Sequence, residues 1–224
     1  MKIKAVGFDV DGTLYPNYQM FLSSIPSFLA DPLLIYHFGK IRKEIRTIVH
    51  DEDLHAKQAS LLSRRMHISP EKARERMEYH LYLRWERSFQ RIRPFPHVRE
   101  TLLALRHAGF RLGVLSDFPI KNKLHYLGIE DLFDCALSSE ESGYLKPHRI
   151  PFLRLANQLE AAPEEILYVG NSYRYDIEGA VDAGMHAAWI TRKGGGGGKA
   201  ELAFSTYREL KHYLIEGSGK IIHV

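Results

Sequence analysis

Short apolar runs recur along this 224-residue sequence, and outside one segment they alternate with stretches of helical spacing. The runs at residues 5–8, 111–115, 135–137, 166–169, 187–190 and 202–204 have the length of buried strands. Helical patterns cover residues 97–108, 149–161 and 176–183, a stretch closed by Gly128, and one that ends near residue 215. This alternation predicts an α/β fold, a Rossmann-like parallel sheet with helices on both faces.

Residues 17–91, called the helical segment below, depart from this alternation because no strand pattern interrupts their helical spacing. Asp31 and Ser69 each precede a proline, which predicts two capped helix starts. In the second helix one apolar stripe is predicted to pack on other helices: Ala73, Met77, Leu81, Trp85, Phe89 and Ile92. We therefore expect a core domain (residues 1–15 and 94–224) and an inserted all-helical cap domain (residues 16–93).

Composition restricts the class of protein. Apolar residues make up 45% of the chain, which is enough for a buried core. No apolar run approaches the roughly 20 residues that a membrane-spanning helix requires, and residues 1–8 predict a strand rather than a signal peptide. Cys135 is the only cysteine, so no intrachain disulfide can form and we expect a cytoplasmic protein without a membrane partner.

The net charge of +4 is unevenly distributed, since residues 15–93 hold 14 basic and 9 acidic side chains. We interpret the basic side chains mainly as solvated surface, and attraction of an anionic substrate is the alternative. The candidates for that alternative are Arg42, Lys43, Arg46, Arg64 and Arg65. The sequence lacks the zinc-finger cysteines and the interleaved aromatic and basic residues of RNA-binding proteins, so no nucleic-acid partner is expected.

Polar residues stand at, or shortly after, the ends of four predicted strands. They are Asp9 and Asp11, Ser116 and Asp117, Lys146, and Asn171 with Asp176. Because the carboxyl ends of parallel strands meet at one edge of a sheet, we expect these groups to converge. Carboxylates, a hydroxyl, an ammonium group and an amide together suit a phosphoryl group and a divalent metal.

The chemistry of these groups predicts phosphoryl transfer. The carboxylate of Asp9 is suited to attack phosphorus and form an aspartyl phosphate, while Asp11 is suited to protonate the leaving oxygen and then activate water. Mg²⁺ between Asp9 and Asp176 would relieve the repulsion of their carboxylates. Ser116 and Lys146 would hold the phosphoryl oxygens, helped by the N-terminus of a helix that is predicted to begin after Ser116.

The run of five glycines at residues 194–198 is followed by Lys199 and invites comparison with a phosphate-binding loop. The comparison fails because Lys193 stands where that loop requires glycine, and Ala200 stands where it requires serine or threonine. We therefore expect a surface loop at this run.

The four polar segments resemble the four motifs of the haloacid dehalogenase-like superfamily. The matches are residues 8–13, 115–117, 145–147 and 169–180, and the resemblance extends over about residues 3–192. A helical segment directly after the first motif is similar to the helical-cap branch, which includes the phosphoglycolate phosphatase-like enzymes. The resemblance implies a hydrolase with a Rossmann-like core.

The resemblance also implies a role for each polar residue. Asp9 would be the nucleophile and Asp11 the acid and base. The implied phosphate contacts are Ser116, Asp117 and Lys146, and the implied Mg²⁺ ligands are Asp9, the carbonyl of Asp11, Asn171 and Asp176. The fourth motif usually begins with Gly-Asp, and here Asn171 replaces that aspartate. An amide carries no charge, so we expect retained but weaker metal binding.

The expected function is Mg²⁺-dependent hydrolysis of a small phosphorylated metabolite by a monomer or homodimer. Haloacid dehalogenases share the nucleophile but lack the second aspartate and the metal, so Asp11 argues against dehalogenation. A phosphomutase keeps all four motifs and is one alternative. A catalytically weak protein that binds a partner through its basic cap is another, and Asn171 is its support.

Overall fold

Six parallel strands form one sheet in the computed structural model, which describes residues 3–47, 53–192 and 198–217. The strands are β1 (Ala5–Phe8), β2 (Arg111–Ser116), β3 (Cys135–Ser138), β4 (Ile166–Gly170), β5 (His186–Ile190) and β6 (Leu202–Phe204). Their spatial order is β3-β2-β1-β4-β5-β6, so β1 lies between β2 and β4 near the middle of the sheet. The predicted Rossmann-like α/β fold is confirmed.

Helices cover both faces of the sheet and fill the helical segment. They are α1 (Asn17–Ala30), α2 (Pro32–Ile45), α3 (Leu54–Met66), α4 (Pro70–Met77), α5 (Arg84–Ser88), α6 (Val98–His107), α7 (Lys123–Tyr126), α8 (Arg149–Gln158), α9 (Glu178–Asp182) and α10 (Tyr207–Lys211). Three π-helical turns extend them, at Glu78–Leu83, Tyr173–Ile177 and His212–Glu216. Within the described residues no helix is both long and apolar enough to cross a membrane.

The two faces of the sheet bury separate apolar clusters. Val6 and Phe8 of β1 point into one cluster together with α6, whereas Ala5 belongs to the other cluster together with α8. Helix α8 lies close to the sheet because β1 and β2 carry glycines opposite each other. A Cβ atom at Gly7 would lie 2.7 Å from the side chain of Leu155, and one at Gly113 would lie 2.8 Å from it. These glycines explain why α8 can pack directly over the middle of the sheet.

The helical segment contains α1 to α5 between β1 and β2, and no strand lies among its described residues. Both predicted caps are present, because Asp31 accepts the amide of Leu34 at 3.1 Å and Ser69 accepts that of Lys72 at 3.3 Å. Capping side chains satisfy amide groups that have no partner within the helix. The boundaries proposed for the two domains stay a prediction.

The apolar stripe that begins in α4 packs differently along its length. Its first half, at Ala73, Met77 and Leu81, packs against the helices of the segment as predicted. Its second half, at Phe89 and Ile92, joins the cluster on the sheet instead. That cluster also contains Met20 of α1 and Leu124 of α7, so the predicted packing on helices extends to this half, together with packing on the sheet. The side chain of Trp85 is not among those that the structure describes.

Two further predictions concern loops. The helix expected directly after Ser116 is absent, since α7 begins only at Lys123. The physical reason is Pro119, which disfavours a helical conformation of the residue before it. The glycine run lies largely outside the described residues, and only Gly198, at a φ of 86°, is described.

Candidate active site

The sequence-predicted polar residues meet at the carboxyl edge of the sheet. Asp9 follows β1, and Ser116 is the last residue of β2. Lys146 lies in the loop before α8, and Asp176 lies in the π-helical turn after β4. The central strands are neighbours, so four stretches that are far apart in sequence contribute to one site.

Lys146 stands at the centre of this site. Its side chain is buried, and its Nζ atom lies 2.7 Å from Oδ1 of Asp9 and 2.6 Å from Oδ1 of Asp176. It also donates to the hydroxyl of Tyr168 at 3.1 Å. An ammonium group therefore lies between the carboxylates of Asp9 and Asp176, and a metal that these two residues share stays a prediction. The ammonium group relieves the same repulsion between two carboxylates.

Burial shifts the ionisation of both partners. Burial raises the pKa of Asp9 to about 7, and the charge of Lys146 only partly opposes this shift. Burial by itself would lower the pKa of Lys146, but the carboxylates of Asp176 and Asp9 hold it well above its usual range. Lys146 therefore stays charged. The second oxygen of Asp9 accepts the hydroxyl of Thr13 at 2.8 Å, which fixes the carboxylate.

Asp176 and Asn171 are placed by the backbone around them. The second carboxylate oxygen of Asp176 accepts the amide of Ser172 at 2.9 Å. Asn171 lies beside the first motif, since a Cβ atom at Gly12 would lie 2.0 Å from its Nδ2 atom. Gly12 also has a φ of 90°, a conformation that favours glycine. This close approach brings Asn171 to the residues that follow β1.

Asp11 faces a cleft between the sheet edge and the helical segment, lined in part by Leu81 and Phe118. Its Oδ1 atom accepts the hydroxyl of Tyr15 at 2.5 Å, and its Oδ2 atom lies 3.2 Å from Nζ of Lys123. Reasoning from the sequence missed both partners. The spacing of four residues between Asp11 and Tyr15 was a weak signal, and nothing marked Lys123.

The hydroxyl of Ser116 also points at Asp11. It donates to Oδ2 of Asp11 at 3.3 Å and accepts the amide of Phe118 at 3.2 Å. The side chain is fully buried at the end of β2. The hydroxyl of Ser116 thus links the loop after β2 to Asp11 of the first motif, and Ser116 lies among the residues that were predicted to converge.

Asp117 contacts the helical segment. Its carboxylate lies 2.5 Å from Arg46 and accepts the amide of Lys146 at 3.1 Å, while its carbonyl accepts Arg42 at 2.7 Å. Burial opposes ionisation, but Lys146, Arg46 and Arg42 together lower the pKa of Asp117. Because Arg42 also pairs with Glu140, both arginines join the helical segment to the sheet edge.

The interpretation of the basic residues as solvated surface is correct for part of the set. Lys43, Arg64 and Arg65 are exposed. It is wrong for Arg42 and Arg46, since carboxylate and carbonyl groups of the sheet edge compensate their charges and allow burial.

Three of the residues predicted to hold a divalent cation can supply oxygen donors. These donors are the carboxylate of Asp9, the carbonyl of Asp11 and the amide oxygen of Asn171. Among the described residues no cluster of three metal-binding His, Cys, Asp or Glu side chains exists. One carboxylate with neutral oxygen donors and water is a set that Mg²⁺ accepts, so these residues fit that ion and not a thiolate- or imidazole-bound metal.

A family model described as haloacid dehalogenase-like hydrolase matches residues 3–184. The chain belongs to this family. The glyceraldehyde 3-phosphate phosphatase of Methanopyrus kandleri is 35% identical over 208 residues, which cover 85% of this hydrolase and 84% of that relative. The enzyme of the same name from Methanothermobacter thermautotrophicus is 31% identical, with coverage of 84% and 85%. The resemblance of the motifs is thereby confirmed.

Solved structures of the family include two kinds of enzyme. A HAD phosphatase from Thermococcus onnurineus superposes with a TM-score of 0.63 at 27% identity, covering 96% of this hydrolase and 98% of that chain. A 2-haloacid dehalogenase from Pseudomonas syringae superposes with a TM-score of 0.70 at 24% identity, covering 96% and 100%. Phosphatases and dehalogenases share this fold, so the two activities can be told apart only by the residues of the active site.

Replacement of Lys146 by methionine tests the charge network. Lys146→Met leaves two buried carboxylates without their cation, so we expect a loss of about 3–5 kcal/mol in the free energy of unfolding at pH 7.5. Burial raises the pKa of unpaired carboxyl groups in the folded state, so the folded variant favours their protonated forms. Its stability should therefore fall as the pH rises from 5 to 8, more steeply than that of the wild type.

Urea unfolding at several pH values measures this effect. Lys199→Met is the matched control, because Lys199 forms an exposed ion pair with Asp182. Loss of that ion pair should not change the free energy of unfolding measurably. A Lys146→Met variant as stable as the wild type, with the same pH dependence, would contradict the account.

Proposed function

We propose that this hydrolase is a Mg²⁺-dependent phosphatase that acts on a small phosphomonoester through a phosphoryl group carried by Asp9. The observation that carries the proposal is the pairing of buried Asp9 with Lys146, next to Asp11, which lines a small cleft. The activities named for the archaeal relatives support it, because these are phosphatases for glyceraldehyde 3-phosphate.

Each step has a candidate group. A carboxylate oxygen of Asp9 forms a bond to phosphorus while the bond from phosphorus to the leaving alkoxide oxygen breaks. Asp11 gives that oxygen a proton and later takes one from a water molecule, which attacks phosphorus and releases phosphate from Asp9. Lys146 and Ser116 offset and hold the charge of the phosphoryl oxygens, which is the main source of catalysis in such transfers.

The proposed metal site uses Asp9, the carbonyl of Asp11 and Asn171. Mg²⁺ bound there would offset the negative charge of the phosphoryl group and its nucleophile. The oxygens of Asp176 contact Lys146 and the amide of Ser172, so Asp176 is proposed to add negative charge next to the metal ligands. Because Asn171 stands where the fourth motif usually has an aspartate, the proposed metal ligands carry one negative charge fewer.

The helical segment is proposed to act as the cap, with residues 16–93 covering the site and hinges near residues 15–17 and 93–94. Arg42 and Arg46 would hold this cap against the sheet edge, so that water is kept from the reacting groups.

The substrate is proposed to be a small phosphorylated metabolite. The proposed cytoplasmic location is supported by the single cysteine, Cys135, which has no second cysteine in the sequence with which to form an intrachain disulfide.

Replacement of Asp9 tests the proposed nucleophile. Asp9→Asn keeps the size of the side chain but removes the attacking charge, so we expect phosphate release from p-nitrophenyl phosphate and glyceraldehyde 3-phosphate to fall at least about a thousandfold. EDTA should abolish the wild-type activity, and added Mg²⁺ should restore it. Phosphate release, measured colorimetrically, gives the rates.

Asp182→Asn is the matched control, because Asp182 pairs with Lys199 at an exposed position, and its activity should equal that of the wild type. Full activity of Asp9→Asn would refute the proposal, and full activity in EDTA would refute its metal requirement. Movement of phosphate to a second hydroxyl without release would favour the phosphomutase alternative.

Replacement of Asn171 tests the proposed metal ligand. Asn171→Asp restores a charged oxygen donor, so the Mg²⁺ concentration that gives half-maximal activity should fall about tenfold. Titration of the metal-free enzyme with Mg²⁺, followed by phosphate release, measures that concentration in both proteins. An unchanged or higher value would show that Asn171 does not bind the metal.

A further inference from the structure

A largely apolar cavity of about 260 Å³ lies between α1, α2, the π-helical turn Glu78–Leu83 and Phe118 of the loop after β2. Its apolar walls are Phe28, Ile35, Phe38, Leu81 and Phe118. Leu81 and Phe118 also line the cleft that contains Asp11. The cavity and the cleft that contains Asp11 therefore share the two side chains of Leu81 and Phe118 as part of their walls.

The polar side chains that line this cavity are those of Ser24, His80 and two arginines, and both arginines are already paired with carboxylates. Arg42 and Arg46 border it, but Arg42 pairs with Glu140 and Arg46 pairs with Asp117. A carboxylate or a second phosphate that entered here would meet cations whose charge is neutralised by protein groups. An uncharged apolar group would instead gain from contact with the aromatic walls and from its removal from water.

Gly39 keeps the rim of this cavity open. It lies inside α2, where glycine destabilises a helix relative to alanine. Its backbone has no positive φ, and a Cβ atom there would have no neighbour within 4 Å. Neither a turn nor a close contact therefore requires this glycine. A larger residue at position 39 would occupy open space at the cavity that Gly39 lines.

We infer that this cavity binds the leaving group of the substrate, and that this group is an uncharged aromatic or branched apolar alcohol. The inference rests on the proposed phosphatase function and narrows its substrate class. An apolar protein cavity of roughly 150 Å³ holds one benzene molecule, so about 260 Å³ accommodates a ring with a short linker to the phosphoryl group.

A pair of alkyl phosphates tests the inference. 3-Phenylpropyl phosphate and propyl phosphate have leaving alcohols of nearly equal acidity, so the ratio of their kcat/KM values reports the contribution of the ring. We expect a ratio of at least about ten in the wild type. Gly39→Leu should lower this ratio about tenfold by filling the cavity, while the matched control Gly39→Ala should keep it within about threefold.

A binding measurement separates this inference from the proposed function. Calorimetry compares 3-phenylpropylphosphonate with propylphosphonate, which cannot be hydrolysed, and thermal melting verifies that each variant is folded. Hydrolysis of both esters with a wild-type ratio near one, or a ratio that Gly39→Leu leaves unchanged, would overturn the inference and leave the phosphatase function standing. Preferred binding of the phenyl compound without hydrolysis of either ester would overturn the function and leave the cavity assignment standing.

Discussion

The contact of the Lys146 ammonium group with Asp9 and Asp176 is the interaction on which the geometry of this site depends. It joins the loop before α8 to the ends of β1 and β4. The backbone of the same residue binds Asp117 through its amide and Arg46 through its carbonyl. One residue thus connects three strand ends with the helical segment. Burial of charged groups costs desolvation energy, so a buried ion network contributes little net stability. Its presence here therefore points to a functional role.

The fold of this family does not by itself decide the reaction, because dehalogenases and phosphatases superpose on the chain about equally well. In the proposed mechanism, the residue that distinguishes the two reactions is Asp11. A halide leaves without a proton, whereas the alkoxide of a phosphate ester needs one. Tyr15 and Lys123 hold Asp11 at the cleft, where it can meet a leaving oxygen. The site therefore favours phosphate ester hydrolysis over dehalogenation.

The sequence predicted the sheet and the convergence of Asp9, Lys146 and Asp176, because buried strands have a local pattern and parallel strands end at one edge. It did not reveal Lys123, which reaches Asp11 across 112 residues of chain. It also misassigned Arg42, since a helical pattern shows which face is polar but not whether that face meets a carboxylate. The repulsion between the carboxylates of Asp9 and Asp176 could be predicted, but the contact of Lys146 with both carboxylates depends on tertiary structure.

If Asp9 accepts the phosphoryl group, a covalent intermediate forms on its carboxylate, and detection of this intermediate is the most direct test. Acid quenching during turnover, followed by peptide mass spectrometry, would locate the phosphoryl group. We predict that it is found on the peptide that contains Asp9 and that it decays at the rate of phosphate release. Phosphate release at the full rate with no phosphoryl group on Asp9 at any quench time would contradict the account.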